Sequence, residues 1–259
     1  MSTAGEVSIA VVIPVYNGAA TVNEALESVR RQSVQPAEVL VIDDGSGDDT
    51  GAVVEAYLRE HQLPPTWRLM TQANRGPAGA RDLGIRSAAT THVALLDADD
   101  VWHPDKLAIS VRLLITHGYE VIGASLQADS TQADIRPVSR QRMLFKNPFF
   151  TSTAVFSRSA YRDVGGFDCG QRYSEDYKLW LAFAWLGHSC GLMSSPYATY
   201  RPHTTGAHQG LSSRRWQMQR HEIGNFRWLR RIGSLPWYWS VAAQAFSWLK
   251  FVRRIVFNK

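Results

Sequence analysis

Three carboxylates fall within four residues in Asp97-Ala98-Asp99-Asp100. Carboxylate oxygens suit a hard divalent cation that also holds phosphate. Ionised carboxylates this close repel one another unless a cation or solvent relieves them. An Asp-rich turn ahead of a helix at Pro104 accounts for the same residues without a metal. Asp43-Asp44-Gly45-Ser46 has the same two readings, because Asp-Gly is common turn chemistry. Ser174-Glu175-Asp176 opens a helix, where acids either complement the helix end or act as a base. Asn74-Arg75-Gly76-Pro77-Ala78-Gly79 forms a Gly-rich turn into a helix N-terminus, a ready anion site. His203 and His208 are candidate ligands, although a lone exposed His in a polar loop usually has no such role. Neither the dinucleotide fingerprint after the first strand nor the Walker phosphate loop is present.

Apolar runs at 7–13, 39–42, 67–71 and 92–96 read as strands by length and β-branching. Helices follow at the Thr21/Glu24 capping-box pattern, then at 50–60 and 78–89. Strands without polar alternation, separated by helices, predict a mostly parallel sheet covered on both faces. In such a sheet ligands bind beyond the carboxyl ends of the strands. Tyr16 and Asn17, Asp43 and Asp44, and Asp97 to Asp100 all follow strands, so they are expected to meet in space. Further on, the pattern predicts a helix at 104–116, a strand at 120–126, a strand region at 147–156 and a helix at 174–187. Residues 127–142 carry weak signals.

The 259 residues carry 28 Lys and Arg against 23 Asp and Glu, a net +5 that hides a split. From residue 201 onward eleven bases face one acid, so the last part carries +10 and residues 1–200 carry −5. With 45% hydrophobic and 20% charged residues, disordered and collagen-like classes are excluded. Two cysteines, Cys169 and Cys190, are too few for a disulfide scaffold and lack metal-knuckle spacing, which predicts a reducing cytosol. Residues 235–257 are predicted to form an amphipathic helix. Ser240, Gln244, Ser247, Lys250 and Arg254 form its polar stripe; Trp237, Val241, Ala245, Trp248, Phe251 and Ile255 lie opposite. An aromatic apolar face beside cations is the pattern of a helix lying in a membrane interface, or of one packed on the domain with its basic stripe solvated.

Taken in order, Ile13-Pro14-Val15-Tyr16-Asn17, Val41-Ile42-Asp43-Asp44-Gly45-Ser46, Asn74-Arg75-Gly76 with Ala80-Arg81, Leu96-Asp97-Ala98-Asp99-Asp100, and Gly165-Gly166-Phe167-Asp168 leading to Glu175-Asp176 resemble the family-two glycosyltransferases of GT-A fold. The resemblance covers roughly residues 7–203. It implies a GT-A nucleotide-binding fold, an α/β architecture with a mostly parallel mixed central sheet flanked by helices, followed by a C-terminal helical tail. A catalytic domain is expected over 1–210, with a nucleotide-sugar half to 103 and an acceptor half from 104, and a basic Trp-rich tail over 211–259.

The resemblance places Pro14, Tyr16, Asp43 and Asp44 around the base and ribose of a nucleotide, and Arg81 and Asp97 in the donor pocket. It makes Asp99 the metal ligand of a DxD motif, with His203 as a further metal-proximal residue, and Asp176 the catalytic base. Asp82 departs from it, since the family often has Asn there. The implied activity is inverting, metal-dependent transfer of a sugar from a nucleotide-diphosphate donor, taken as a UDP-sugar, with Mg²⁺ or Mn²⁺. The expected acceptor is a glycan or lipid-linked hydroxyl in surface polysaccharide synthesis. The expected location is cytoplasmic, peripheral on the inner face of the cell membrane, with the tail on an anionic surface and no nucleic-acid partner. The alternatives are a non-catalytic membrane-attached sugar-nucleotide binding module and a GT-A-like nucleotidyltransferase, which lacks its Gly-rich, Lys-bearing loop here.

Overall fold

Runs of Val, Ile and Leu without polar alternation bury both faces of a strand, and the N-terminal half is built from them. The computed structural model describes residues 7–126, 134–200 and 214–257. Strands β1 (Ile9–Val15), β2 (Glu38–Asp43), β3 (Trp67–Thr71) and β4 (His92–Leu95) alternate with helices α1 (Val22–Arg30), α2 (Thr50–Glu60) and α3 (Gly76–Ser87). Then come β5 (Val101–Trp102), α4 (Lys106–His117), β6 (Val121–Gly123), β7 (Ile135–Pro137) and α5 (Arg140–Met143). A 3₁₀ turn (Thr151–Thr153) leads into β8 (Val155–Ser157), α6 (Arg158–Asp163), α7 (Glu175–Trp185), β9 (Cys190–Met193) and β10 (Ala198–Thr199). Two long helices, α8 (Arg215–Arg231) and α9 (Trp237–Phe257), close the described chain.

The main sheet runs β3-β2-β1-β4-β8-β6-β9-β7. Its first four strands are parallel; β8 is antiparallel to both β4 and β6, and β7 is antiparallel to β9. The sheet is therefore mixed, as expected. From β1 the chain goes first to β2 on one side and later to β4 on the other. That reversal opens a crevice beyond the carboxyl ends of β1 and β4. One apolar layer packs α3, α7 and α8 on one face of the sheet, and another packs α1, α2 and α4 on the opposite face. Gly84 lets α3 approach β1, because a Cβ there would lie 2.5 Å from Val12 Cγ1.

Several local expectations change. Thr21 does not form the capping box: its side chain caps nothing, and its hydroxyl lies 3.4 Å from the Gly18 carbonyl. The strand expected over 147–156 is confined to β8 by a polar Thr-Ser-Thr turn. There Thr153 Oγ1 both accepts from the Ala124 N–H and donates to the Ala124 carbonyl, taking the place of strand pairing. The strand expected over 120–126 shortens to β6 for the same reason.

The tail departs furthest. The polar stripe of α9 turns inward from Ser240 to Lys250, with Ser240 and Ser247 fully buried and Arg254 at its end exposed, while Trp237, Val241, Trp248 and Ile255 of the apolar stripe face outward. Ser247 accepts from Gln219 at 2.9 Å and donates to Glu222 at 2.8 Å, and Lys250 donates to Glu222 at 3.3 Å. Small hydroxyls let α9 lie close to α8: Gln219 and Glu222 satisfy Ser247, and Ser240 donates to the Phe226 carbonyl at 3.5 Å. Phe251 is the exception in the apolar stripe, turning inward against Trp216. The helix is packed on the domain, through α8 and Phe145, but mostly with its polar stripe and not its apolar stripe turned inward. Among the described residues no helix is long and apolar enough to cross a membrane.

Candidate active site

The loops after β1 and β2 are stitched to each other. Asn17, at φ 50°, donates its N–H to Ser46 Oγ and accepts from Gly47 N–H on its own Oδ1, at 2.9 and 2.8 Å. Pro14 is half-buried at the end of β1, and Tyr16 projects into solvent. Asp43 closes its turn by accepting from Ser46 N–H at 2.9 Å. Asp44 is 3% exposed, and both its oxygens are engaged. Gln72 Nε2 and Arg75 N–H donate to Oδ1 at 2.7 and 2.8 Å, and Gly76 N–H donates to Oδ2 at 2.8 Å. The anion site expected at the start of α3 is thus filled by the chain's own Asp44 carboxylate.

Beyond β4, Ser152 knots the acidic turn. Its hydroxyl accepts from Asp97 N–H at 3.1 Å and donates to Asp100 at 2.5 Å, while its carbonyl accepts from Trp102 Nε1 at 2.6 Å. Asp100 is buried, and Asp99 is half-buried. Asp97 meets Arg81 of α3 at 2.7 Å, and the same guanidinium reaches Glu175 at 2.9 Å. Asp176 accepts from the Thr151 hydroxyl at 3.2 Å. One cation therefore gathers the end of β4 and the head of α7, bringing together residues 94 positions apart. Phe167 of Gly165-Gly166-Phe167-Asp168 lies beneath Arg81, 5.9 Å from ring centroid to guanidinium carbon, and Asp168 pairs with Lys178 at 2.5 Å.

Charge in this cluster is not balanced. Burial alone would strip the Arg81 charge, but the Asp97, Glu175 and Asp176 carboxylates hold it more firmly than usual. Burial and the neighbouring Asp176 push Glu175 up to about 7, against the pull of Arg81. Burial likewise raises Asp176 above the ordinary carboxylate range, although Arg81, the Tyr177 N–H and Thr151 oppose it. The two acids titrate as a pair. Ser174 does not cap α7; it sits in the left-handed region at φ 57° and its side chain accepts no capping hydrogen bond. Its carbonyl accepts from Gln171 Nε2 and Asn225 Nδ2, each at 3.0 Å, and Gln171 also donates to Asn225 Oδ1 at 2.9 Å. A residue of α8 thus holds the strained residue directly ahead of the acidic pair.

Arg81 joins Asp97 to the head of α7, where Asp176 follows Glu175, and Asp99 lies half-buried two residues beyond Asp97, whereas Asp44 is turned into the support of α3. Asp82 lies on the far side of α3, bonding Arg86 at 2.8 Å and Tyr161 at 2.7 Å. His203 and His208 lie outside the described residues. Thr151, Ser152, Gln171 and Asn225 carry no motif and were not foreseen; only the adjacency of Glu175 to Asp176 was visible. Among the described residues no three His, Cys, Asp or Glu side chains form a metal cage. Asp99 and Asp97 offer carboxylate oxygens, the donor type that would suit a hard divalent cation, with Asp97 already paired to Arg81.

Residues 10–173 match the model of Glycosyl transferase family 2, and 92–257 match Glycosyl transferase family group 2. A glycosyltransferase of Rickettsia felis is 37% identical over 109 residues, 42% of this chain and 17% of that protein. One of Rickettsia prowazekii is 25% identical over 190 residues, 68% of this chain and 58% of that protein. The chain thus spans less than two thirds of these relatives. Among solved structures, S. aureus TarS 1–349 in complex with UDP superposes with a TM-score of 0.68 at 18% identity, covering 95% of this chain and 71% of that one. The mannosyltransferase PcManGT of Pyrobaculum calidifontis, in complex with GDP-Man and Mn²⁺, gives 0.64 at 21% identity, covering 97% and 76%. At such identities the likeness is one of fold, and the fold is GT-A. With more than half of its length matched by the model of Glycosyl transferase family 2, the chain belongs to that family.

Proposed function

We propose that this chain transfers a sugar, with inversion, from a nucleoside-diphosphate donor to the hydroxyl of a glycan or lipid-linked acceptor in surface polysaccharide synthesis. The carrying observation is the Arg81 bridge, which sets the Asp176 pair beside the acidic turn after β4. Asp176 takes the acceptor hydroxyl's proton as its oxygen forms the new bond to the anomeric carbon. The bond from that carbon to the diphosphate breaks, and the diphosphate departs with the electron pair. Burial makes the ionised Asp176 a stronger base than an exposed carboxylate. No second carboxylate is nominated as an enzyme nucleophile, which favours single displacement.

Asp99, with Asp97 beside it, would hold Mg²⁺ or Mn²⁺, and His203 is a candidate to assist. A bound cation offsets the charge that grows on the leaving diphosphate. Pro14, Tyr16, Asp43 and Asp44 would bound the base and ribose, Asp44 through the loop it holds. UDP with TarS, and GDP-Man with Mn²⁺ in the mannosyltransferase, support such a donor, with UDP-sugars our first choice. We assign donor binding to residues 1–103, acceptor binding to 104–210 and membrane contact to 211–259, at the inner face of the cell membrane.

Nucleotide sugars tested one by one with the purified protein and Mn²⁺ should yield free nucleoside diphosphate for one donor class. NMR of the product should show the opposite anomeric configuration to the donor. Donor binding without release under any acceptor tried would replace the enzyme by a sugar-nucleotide binding module.

A further inference from the structure

Helix α9 is amphipathic in the opposite sense to a helix packed on a core. Its outward side carries Trp237, Val241, Trp248, Leu249 and Val252, with Leu249 66% exposed. Such a continuous apolar strip costs free energy in water unless something covers it. Its flanks are cationic. On one side Arg227, Arg230 and Arg231 of α8 line an open groove together with Val241 and Gln244. On the other, exposed Arg253 follows Leu249 by four residues, one helical turn along. Residues 237–257 contain no Asp or Glu, and among the described residues neither Arg230 nor Arg231 meets a carboxylate.

An apolar strip rimmed by cations alone complements a partner that is apolar within and anionic at its edge. A second copy docked about a two-fold axis would bring arginines against arginines with no acid between them. A bilayer of anionic phospholipid satisfies both parts, taking the apolar strip at the acyl boundary and the guanidinium groups at the phosphates. Since α9 does not qualify as a crossing helix, it would lie in the plane of the interface.

We propose that the outward face of α9, together with Arg227, Arg230, Arg231 and Arg253, is a docking surface for anionic phospholipid. The surface joins two helices, and it excludes the inward Lys250, which α8 already holds. This deepens, and rests on, the reading of the chain as a peripheral membrane protein; it is independent of the transfer chemistry.

Flotation of the full chain with vesicles tests it, using equal parts phosphatidylglycerol and phosphatidylcholine against phosphatidylcholine alone. The wild type should float with the anionic vesicles and bind them roughly a hundredfold or more tightly than the neutral ones. Leu249→Asp with Val252→Asp should abolish flotation. Arg230→Gln with Arg231→Gln should weaken binding to anionic vesicles by roughly thirtyfold and leave neutral vesicles unaffected. All four positions are exposed, so thermal melting and nucleoside-diphosphate release in solution should stay at wild-type values. That separates loss of docking from loss of the transferase activity. Undiminished flotation of the Leu249→Asp, Val252→Asp protein overturns the proposal. So does absence of wild-type binding to anionic vesicles, or a dimer in solution that Leu249→Asp dissociates.

Discussion

Two acidic regions, one at the end of β2 and one at the head of α7, are treated differently. At the end of β2, Asp44 is closed off by three donors from a single loop, Gln72, Arg75 and Gly76. At the head of α7, Glu175 and Asp176 share one guanidinium and one threonine hydroxyl, and burial raises both above the ordinary carboxylate range. A carboxylate whose charge is fully answered organises backbone. One whose charge is under-answered is poised to accept a proton. Residue type and motif do not distinguish the two, and hydrogen-bond satisfaction does.

The largest effect should come from Asp176→Asn, which keeps the shape and removes the base. Transfer should fall by roughly a thousandfold while donor affinity, read by calorimetry, stays within about twofold. Near-normal turnover would move the base elsewhere. Asp44→Ala should act mainly on the fold, leaving three donors unanswered at a buried site. A loss of about 3 kcal/mol is expected in denaturant titration, with a melting point about 6–12 °C lower. Lost donor binding at an unchanged melting point would instead make Asp44 a direct ligand, and the contrast between the two regions would collapse.

Asn225→Ala should be milder and sharper. It removes the α8 donor to the carbonyl of Ser174, a non-glycine residue in the left-handed region, and leaves Gln171 without its Asn225 acceptor, so the acidic pair loses its anchor to α8. A kcat lower by roughly tenfold with unchanged donor KM is the expected split, because the effect falls on the positioning of the base. Equal loss in both parameters would mark a general loosening of the domain.

These contrasts also explain what could be read beforehand. β1 and β2 were legible because continuous Val, Ile and Leu runs have one stable use in a covered sheet. The acidic turns were legible because they follow those strands. The division of labour between them was not: the partners of Asp44 lie 28 to 32 residues away, and those of Ser174 up to 51. The stripes of α9 were visible as well, and its direction was hidden. Ser247 goes inward because Gln219 and Glu222 of α8 are there to receive it, and Ser240 because the Phe226 carbonyl is, and no pattern within α9 states that.

The acidic pair also sets a pH dependence with a definite sign. Folding raises these carboxylates, so their contribution to stability is complete below the unfolded-state values and is lost as pH rises through the folded ones. Activity runs the other way, because the base works only when ionised. Removing the Glu175 charge takes away a like-charge neighbour and should let Asp176 ionise more easily. The measurement that tests this most directly is the pH profile of kcat for the wild type beside Glu175→Gln. The account predicts a wild-type limb above the ordinary carboxylate range that moves to lower pH in the variant. A limb near the value of a free aspartate, about 4, unmoved by the substitution, would contradict it.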